Sequence, residues 1–187
     1  SAPALTDLGG NNSLVLPAGG TGTIVGNVTL GPGTDRVEIA SGSIGGVIDQ
    51  GAGVDTFIMS GGQIQALQQG NGRDVFDLSG GRIVAAFEDG DVARMSGGRI
   101  GRVDMKLDDN LFDMSGGVID RNLVTGFGKD TILLSGGQIG GNVSVSGGDD
   151  RLTLTGGEVL GNVMLSFGND QLVWHTGGSV RGMVLMG

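Results

Sequence analysis

The residues of this 187-residue chain whose types and spacing could do chemistry are its aspartates. Asp35, Asp55, Asp74, Asp91, Asp130, Asp150 and Asp170 recur, with Asn110 in the same series, at intervals of 17 to 20 residues. Carboxylates at a fixed interval can do one of two things. They can supply oxygens to a hard cation, of which calcium takes about six to eight. They can instead accept backbone N–H bonds and cap a turn, as in an Asx-turn. Both readings stay open, with Asp35, Asp55, Asp74, Asp130, Asp150 and Asp170 as candidate calcium corners.

Other chemistry is sparse. The one histidine, His175, has no second His and no Cys with which to build a metal or thiol site. The serines sit at repeated Ser-Gly-Gly tripeptides with no base beside them. Paired acids such as Asp108-Asp109 and Asp149-Asp150 also fall at corners, where solvated turns explain them better than a glycosidase pair placed across a cleft. Arg82, Arg99 and Arg102 are the candidate contacts for an anionic ligand. Arg82 and Arg99 follow equivalent corners, and like charges on neighbouring strands need a neutralising group or a path into solvent. The chain is therefore read as non-enzymatic, with no required cofactor beyond the calcium alternative.

The elements that must position these residues follow from the repeat. Two residues after each member of the aspartate series comes Val37, Phe57, Phe76, Ala93, Phe112, Ile132, Leu152 or Leu172. Four after comes Ile39, Met59, Leu78, Met95, Met114, Leu134, Leu154 or Trp174. Nine after, ten in the last copy, comes Ile44, Ile64, Ile83, Ile100, Ile119, Ile139, Val159 or Val180. Alternation such as Asp74-Val75-Phe76-Asp77-Leu78 is the period of a half-buried strand. Ser79-Gly80-Gly81 and its copies are corners, because glycine accepts positive φ. Gly-Asn and Gly-x-Gly supply two more corners, as at Gly141-Asn142 and Gly126-Phe127-Gly128. Three strands and three corners make a triangular rung.

The fold class is thus all-β: a single-stranded parallel β-helix, a three-sided β-solenoid of about 20 residues per rung and roughly eight or nine rungs. At about 4.8 Å per rung this is a rod of about 40 Å. Residues 1–13 are read as an N-terminal segment or cap and 14–187 as the repeats. The middle rungs are expected to be least regular, because Glu88-Asp89-Gly90 and Leu107-Asp108-Asp109 replace the Gly-x-Gly corner. Phe57, Phe76 and Phe112 are expected to form one inward column, with Ala93 leaving space. Arg94 is expected between Asp77 and Asp113 on an outward face. Trp174 and most of the six phenylalanines are assigned to the core.

Composition agrees with this outline. Glycine is 41 of 187 residues, as a coil with a bend every few residues requires, and aromatic residues are 4%. The net charge of −9 argues against nucleic acid and against an anionic membrane surface, both of which need a basic face. No apolar run reaches membrane-spanning length. The chain opens Ser1-Ala2-Pro3-Ala4 without an initiator Met, as a mature chain does after signal removal. It stops within a rung at Val184-Leu185-Met186-Gly187, so further rungs or another domain are expected to follow. Unpaired strand edges near Trp174 to Gly187 are expected to support end-to-end self-association.

Repeats such as Asp130-Thr131-Ile132-Leu133-Leu134-Ser135-Gly136-Gly137, running on to Val143, resemble the β-helical passenger domains of bacterial autotransporters. The resemblance covers about residues 14 to 187. It implies a right-handed pertactin-like helix displayed on the cell surface and held by a C-terminal outer-membrane barrel absent from this sequence. It also implies an adhesin or virulence-associated role, with a host-cell or matrix protein or glycan as ligand. A second resemblance, of Gly70-Asn71-Gly72-Arg73-Asp74 and its copies, is to the calcium repeats of RTX proteins, although the unit here is about twenty residues and not nine. The alternative from another class is a carbohydrate-active β-helix of the polysaccharide lyase or hydrolase kind.

Overall fold

Each apolar position that recurs once per turn meets its own copy on the next turn, and this self-pairing builds the molecule. The computed structural model describes residues 4–187; residues 1–3 of the 1–13 segment lie outside the described residues. The pairing is parallel throughout. On the first face Leu14, Val37, Phe57, Phe76, Ala93, Phe112, Ile132, Leu152 and Leu172 stand in one register. On the second, Ile24, Ile44, Ile64, Ile83, Ile100, Ile119, Ile139, Val159 and Val180 do the same. The third face runs from Val28 through Ile48, Leu67, Phe87, Val103, Leu123, Val143 and Val163 to Val184. Leu5–Asp7, within the segment set apart as a cap, adds one more strand to this third face by pairing with Val28–Leu30. The fold is a three-sided parallel β-solenoid of about nine turns with a repeat of about 20 residues.

The three columns fill one continuous core. From Val37 to Leu152 the first column is at most 2% exposed, and Phe57, Phe76 and Phe112 are wholly buried. The rings of Phe57 and Phe76 stack with centroids 5.7 Å apart and planes 5° apart. Ala93, wholly buried, holds the column's place in the short turn. Phe87, reaching in from the third face, stacks on Phe76 with centroids 4.0 Å apart. Glycine is required where turns touch at corners. Gly72 has φ +150°, and a Cβ there would lie 1.4 Å from the carbonyl oxygen of Gly53 on the preceding turn.

The middle turns are irregular where expected. Among the described residues the non-glycine residues with positive φ are Asp89, Lys106 and Asp108; Gly126 and Gly128 lie over Lys106 and Asp108, so the second replaced corner begins at Lys106, one residue earlier than expected. Two core assignments need correction. Trp174 pairs in register with Leu154, yet is 47% exposed, because no described turn covers it. Phe127 and Phe167 are 64% and 78% exposed, because Phe127 sits at a corner and Phe167 at the strand end that opens into one, where the side chain turns outward.

Removing the central ring tests the stack. Phe76→Ala is expected to cost about 3–5 kcal/mol in chemical denaturation, the range for large-to-small changes in a packed core. A loss below about 1 kcal/mol would contradict a ring held between Phe57 and Phe87.

Candidate functional site

The aspartate series lies inside the wall of the rod, at the corner that opens the first face. Asp35, Asp55, Asp74, Asp130 and Asp150 are 0–2% exposed, and Asp91 is 8%. Each carboxylate accepts the backbone N–H of the corresponding residue one turn earlier. Asp35 accepts from Asn12 at 2.6 Å, Asp55 from Asp35 at 2.7 Å, Asp74 from Asp55 at 2.7 Å and Asp91 from Asp74 at 2.7 Å. Asp130 accepts from Asn110 at 3.0 Å, Asp150 from Asp130 at 2.8 Å and Asp170 from Asp150 at 3.0 Å. The capping alternative thus holds in altered form: the aspartate caps the neighbouring turn and not its own.

The chain of links is broken once. Asn110 turns its amide nitrogen to the carbonyls of Leu107 and Asp108, at 3.2 and 3.1 Å, and its Oδ1 is buried without a donor. Beside this break a groove of about 400 Å³ is lined by Gly72, Arg73, Asp91, Asp108 and Asp109. A second ladder runs the other way at the Gly-Asn corners. There Asn27, Asn122, Asn142 and Asn162 each accept an N–H from the following turn, at 2.8–3.0 Å.

The calcium arrangement that the RTX resemblance implies does not fit these carboxylates. One oxygen of each is committed to a backbone N–H, and the other, in Asp35, Asp55, Asp74, Asp130 and Asp150, is buried without a partner inside the wall. Among the described residues no three His, Cys, Asp or Glu side chains are placed to hold a metal ion. Calcium asks for about six to eight oxygens around one point.

Burial has an electrostatic consequence. Loss of hydration pushes Asp55, Asp91, Asp130 and Asp150 above the ordinary carboxylate range. Asp74 is pushed furthest, to about 7; burial is the main cause, the Asp55 N–H partly offsets it, and the charges of Asp55, Asp91 and Asp89 add to it. A protonated carboxyl is the form a buried, half-satisfied oxygen favours.

The arginines lie elsewhere. Arg82 and Arg99 are neighbours on the second face, and Arg99 reaches Asp120 at 2.6 Å. Arg102 points away from that pair. It meets Glu88, and Asp104 at 3.3 Å, in a network that also takes in Lys106, 3.4 Å from Glu88 and 3.5 Å from Asp89. The three do not converge on one ligand-sized point. Arg94 stands between Asp77 and Asp113 on adjoining strands, as expected, although no ion pair within 4 Å joins it to either among the described residues. These three residues and Ser96, Ser115 and Ser135 line a groove of about 340 Å³. His175 is exposed.

Sequence reasoning missed a buried amide pair. Gln50 and Gln69 are both fully buried, and Gln69 Nε2 donates to Gln50 Oε1 at 3.2 Å and to the Val75 carbonyl at 3.2 Å. The signal was present, since each glutamine directly precedes a Gly-x-Gly corner. Comparison of the chain with family models, with curated proteins and with solved structures gives no match. Fold and site together define the class: a rigid parallel β-solenoid scaffold.

The aspartate column should make stability depend on pH in an unusual direction. A carboxyl whose folded pKa is raised contributes stability that is complete below its unfolded pKa and is lost as pH rises through its folded value. Glu88, Asp149 and Glu158 are held below the ordinary range, so their contributions are lost only on stronger acidification. For Glu88 burial opposes this and the nearby Arg102, Gln68 and Lys106 prevail. The melting temperature is therefore expected to fall as pH rises from about 5 to 8, through the Asp74 value of about 7. Asp74→Asn should flatten that slope, since the side chain no longer titrates. A melting temperature that rises over this window would contradict the reading.

Proposed function

We propose that this segment is the β-helical passenger portion of a bacterial autotransporter, serving as a rigid spacer and display scaffold of a cell-surface adhesin. The observation that carries the reading is the register of the third face, continuous from Val28 to Val184, with the first face from Leu14 to Leu172 and the second from Ile24 to Val180 beside it. Every described turn is spent on stacking, and no inserted domain interrupts it. A stack in which each turn contacts only its neighbours extends in one direction at constant width, which is what a spacer requires. The acidic surface and the resemblance of the Asp130–Val143 repeat to such passengers support the same reading. Among the described residues no helix is long and apolar enough to cross a membrane.

The last turn exposes Trp174, Leu185 and Met186, at 47%, 45% and 53%. Its strand edge accepts one more turn, from the same chain or from another copy. This segment alone is expected to associate end to end at high concentration, read as a concentration-dependent sedimentation coefficient. A strictly monomeric rod at millimolar concentration would contradict that part.

Surface display is tested on intact cells of the source bacterium. Antibody raised against this segment should label unpermeabilised cells, and external protease should remove the label. Labelling only after permeabilisation would overturn the passenger reading while leaving the scaffold intact.

A further inference from the structure

The corner tips carry an apolar ridge that neither the core nor the ladders use. Leu107, Phe127, Gly147 and Phe167 occupy the same place, three residues before the aspartate column, on four successive turns. The pairing of Phe127 with Gly147, and of Gly147 with Phe167, fixes that alignment. Leu107 is 62% exposed, Phe127 64% and Phe167 78%. Exposed apolar side chains scattered singly need no explanation, but a row of them on one edge marks an interaction site. Gly147 is itself buried, and a Cβ there would lie 3.2 Å from the Phe127 ring, so glycine gives that ring room to lie over the next turn.

The strip beside the ridge is polar and balanced in charge. A shallow groove of about 350 Å³ is lined by Lys129, Asp149, Asp150, Arg151, Asn169 and Gln171. Its groups already hold one another in place. Asn169 donates to Asp149 from its backbone at 2.9 Å and from its side chain at 3.1 Å, and Arg151 donates to Gln171. Bonds from Asn169 hold the Asp149 carboxyl below the ordinary range, so it is charged at neutral pH.

We propose that the Leu107–Phe127–Phe167 ridge and the groove beside it bind a neutral, extended glycan laid along the rod. Sugar rings present C–H faces and hydroxyl edges. The C–H faces suit the electron-rich face of an aromatic ring, and the hydroxyls suit planar amides that donate and accept, carboxylates that accept and guanidinium groups that donate. Phe127 and Phe167 are two turns apart, about 9.6 Å at the rung spacing. Because the Phe127 ring covers the intervening Gly147, the two rings form one apolar strip along the rod, on which a chain of sugar rings can lie lengthwise. An anionic glycan suits the site less, since the chain carries −9 overall and the groove's own charges nearly cancel. The proposal rests on the display-scaffold reading and names the ligand class of one displayed edge.

The test is titration of the isotopically labelled chain with cellohexaose and with chitohexaose, followed by amide shifts. A heparin hexasaccharide serves as the anionic comparison. At least one neutral oligosaccharide is expected to shift amides of residues 106–109, 126–130, 146–151 and 166–171, and few others. The double variant Phe127→Ala/Phe167→Ala should weaken binding about tenfold or more without changing the circular dichroism spectrum, since both rings are exposed. Phe127→Trp/Phe167→Trp should keep binding, and so should Trp174→Ala, which removes an exposed ring elsewhere. Three results would overturn the proposal: no shift with either neutral oligosaccharide at millimolar concentration, binding unaffected by the double alanine variant, or response to heparin alone. Sedimentation showing lateral association that the double alanine variant abolishes would also overturn it, by making the ridge a contact between copies. None of these outcomes bears on surface labelling, so the two readings fail separately.

Discussion

Every strand of this protein pairs with its own copy one turn away, so each residue lies about 4.8 Å from its counterpart. That single constraint decides which residues each position tolerates. Apolar side chains gain from it, because like packs on like without a gap, and the three buried columns are the result. Charged side chains lose by it, because a repeated acid becomes a row of repelling carboxylates. The aspartate column survives because each carboxylate takes a backbone N–H from the adjoining turn and because burial shifts Asp55, Asp74, Asp91, Asp130 and Asp150 toward the neutral form. The same residue that could have repelled its neighbour fastens two turns together. The asparagines of the second corner accept from the following turn, in the opposite sense, so adjoining turns are held from both directions.

The constraint also explains what could be read in advance. Columns of Phe and Ile were legible because strand residues point in or out by alternation, and the repeat multiplies a weak signal across the turns. Corners were less legible. Whether a corner side chain points in or out depends on local φ and ψ, which the residue type does not fix. Hence Phe127 and Phe167, apolar by type, stand outside, and Gln50 and Gln69, polar by type, lie wholly inside. The place of Phe87 in the ring stack was missed for a related reason: the turn before Asp91 is shortened, and the ring enters from the third face to stack on Phe76. The aspartates were legible as a series, but the destination of their oxygens was not. Capping a residue's own turn and capping the adjoining one leave the same mark on a sequence.

The middle of the rod is where the repeat departs from itself. Asp89, Lys106 and Asp108 adopt positive φ without being glycine, and each such residue carries a backbone cost of order 1–3 kcal/mol. Asn110 replaces the aspartate there and spends its amide on its own corner, at the carbonyls of Leu107 and Asp108. The strained corner and the missing link therefore occur together. A neutral side chain that stabilises its own bend leaves the preceding turn's N–H without its carboxamide acceptor.

The central claim is that carboxylates from one turn hold the backbone of the turn before it. Amide hydrogen exchange read residue by residue tests it most directly. The N–H groups of Asp35, Asp55, Asp74, Asn110, Asp130 and Asp150 each meet a carboxylate oxygen, whereas among the described residues no acceptor meets that of Asp91. The account requires strong protection at the six and markedly faster exchange at Asp91, although its residue is almost equally buried. Equal protection at Asp91, or fast exchange along the whole column, would contradict it.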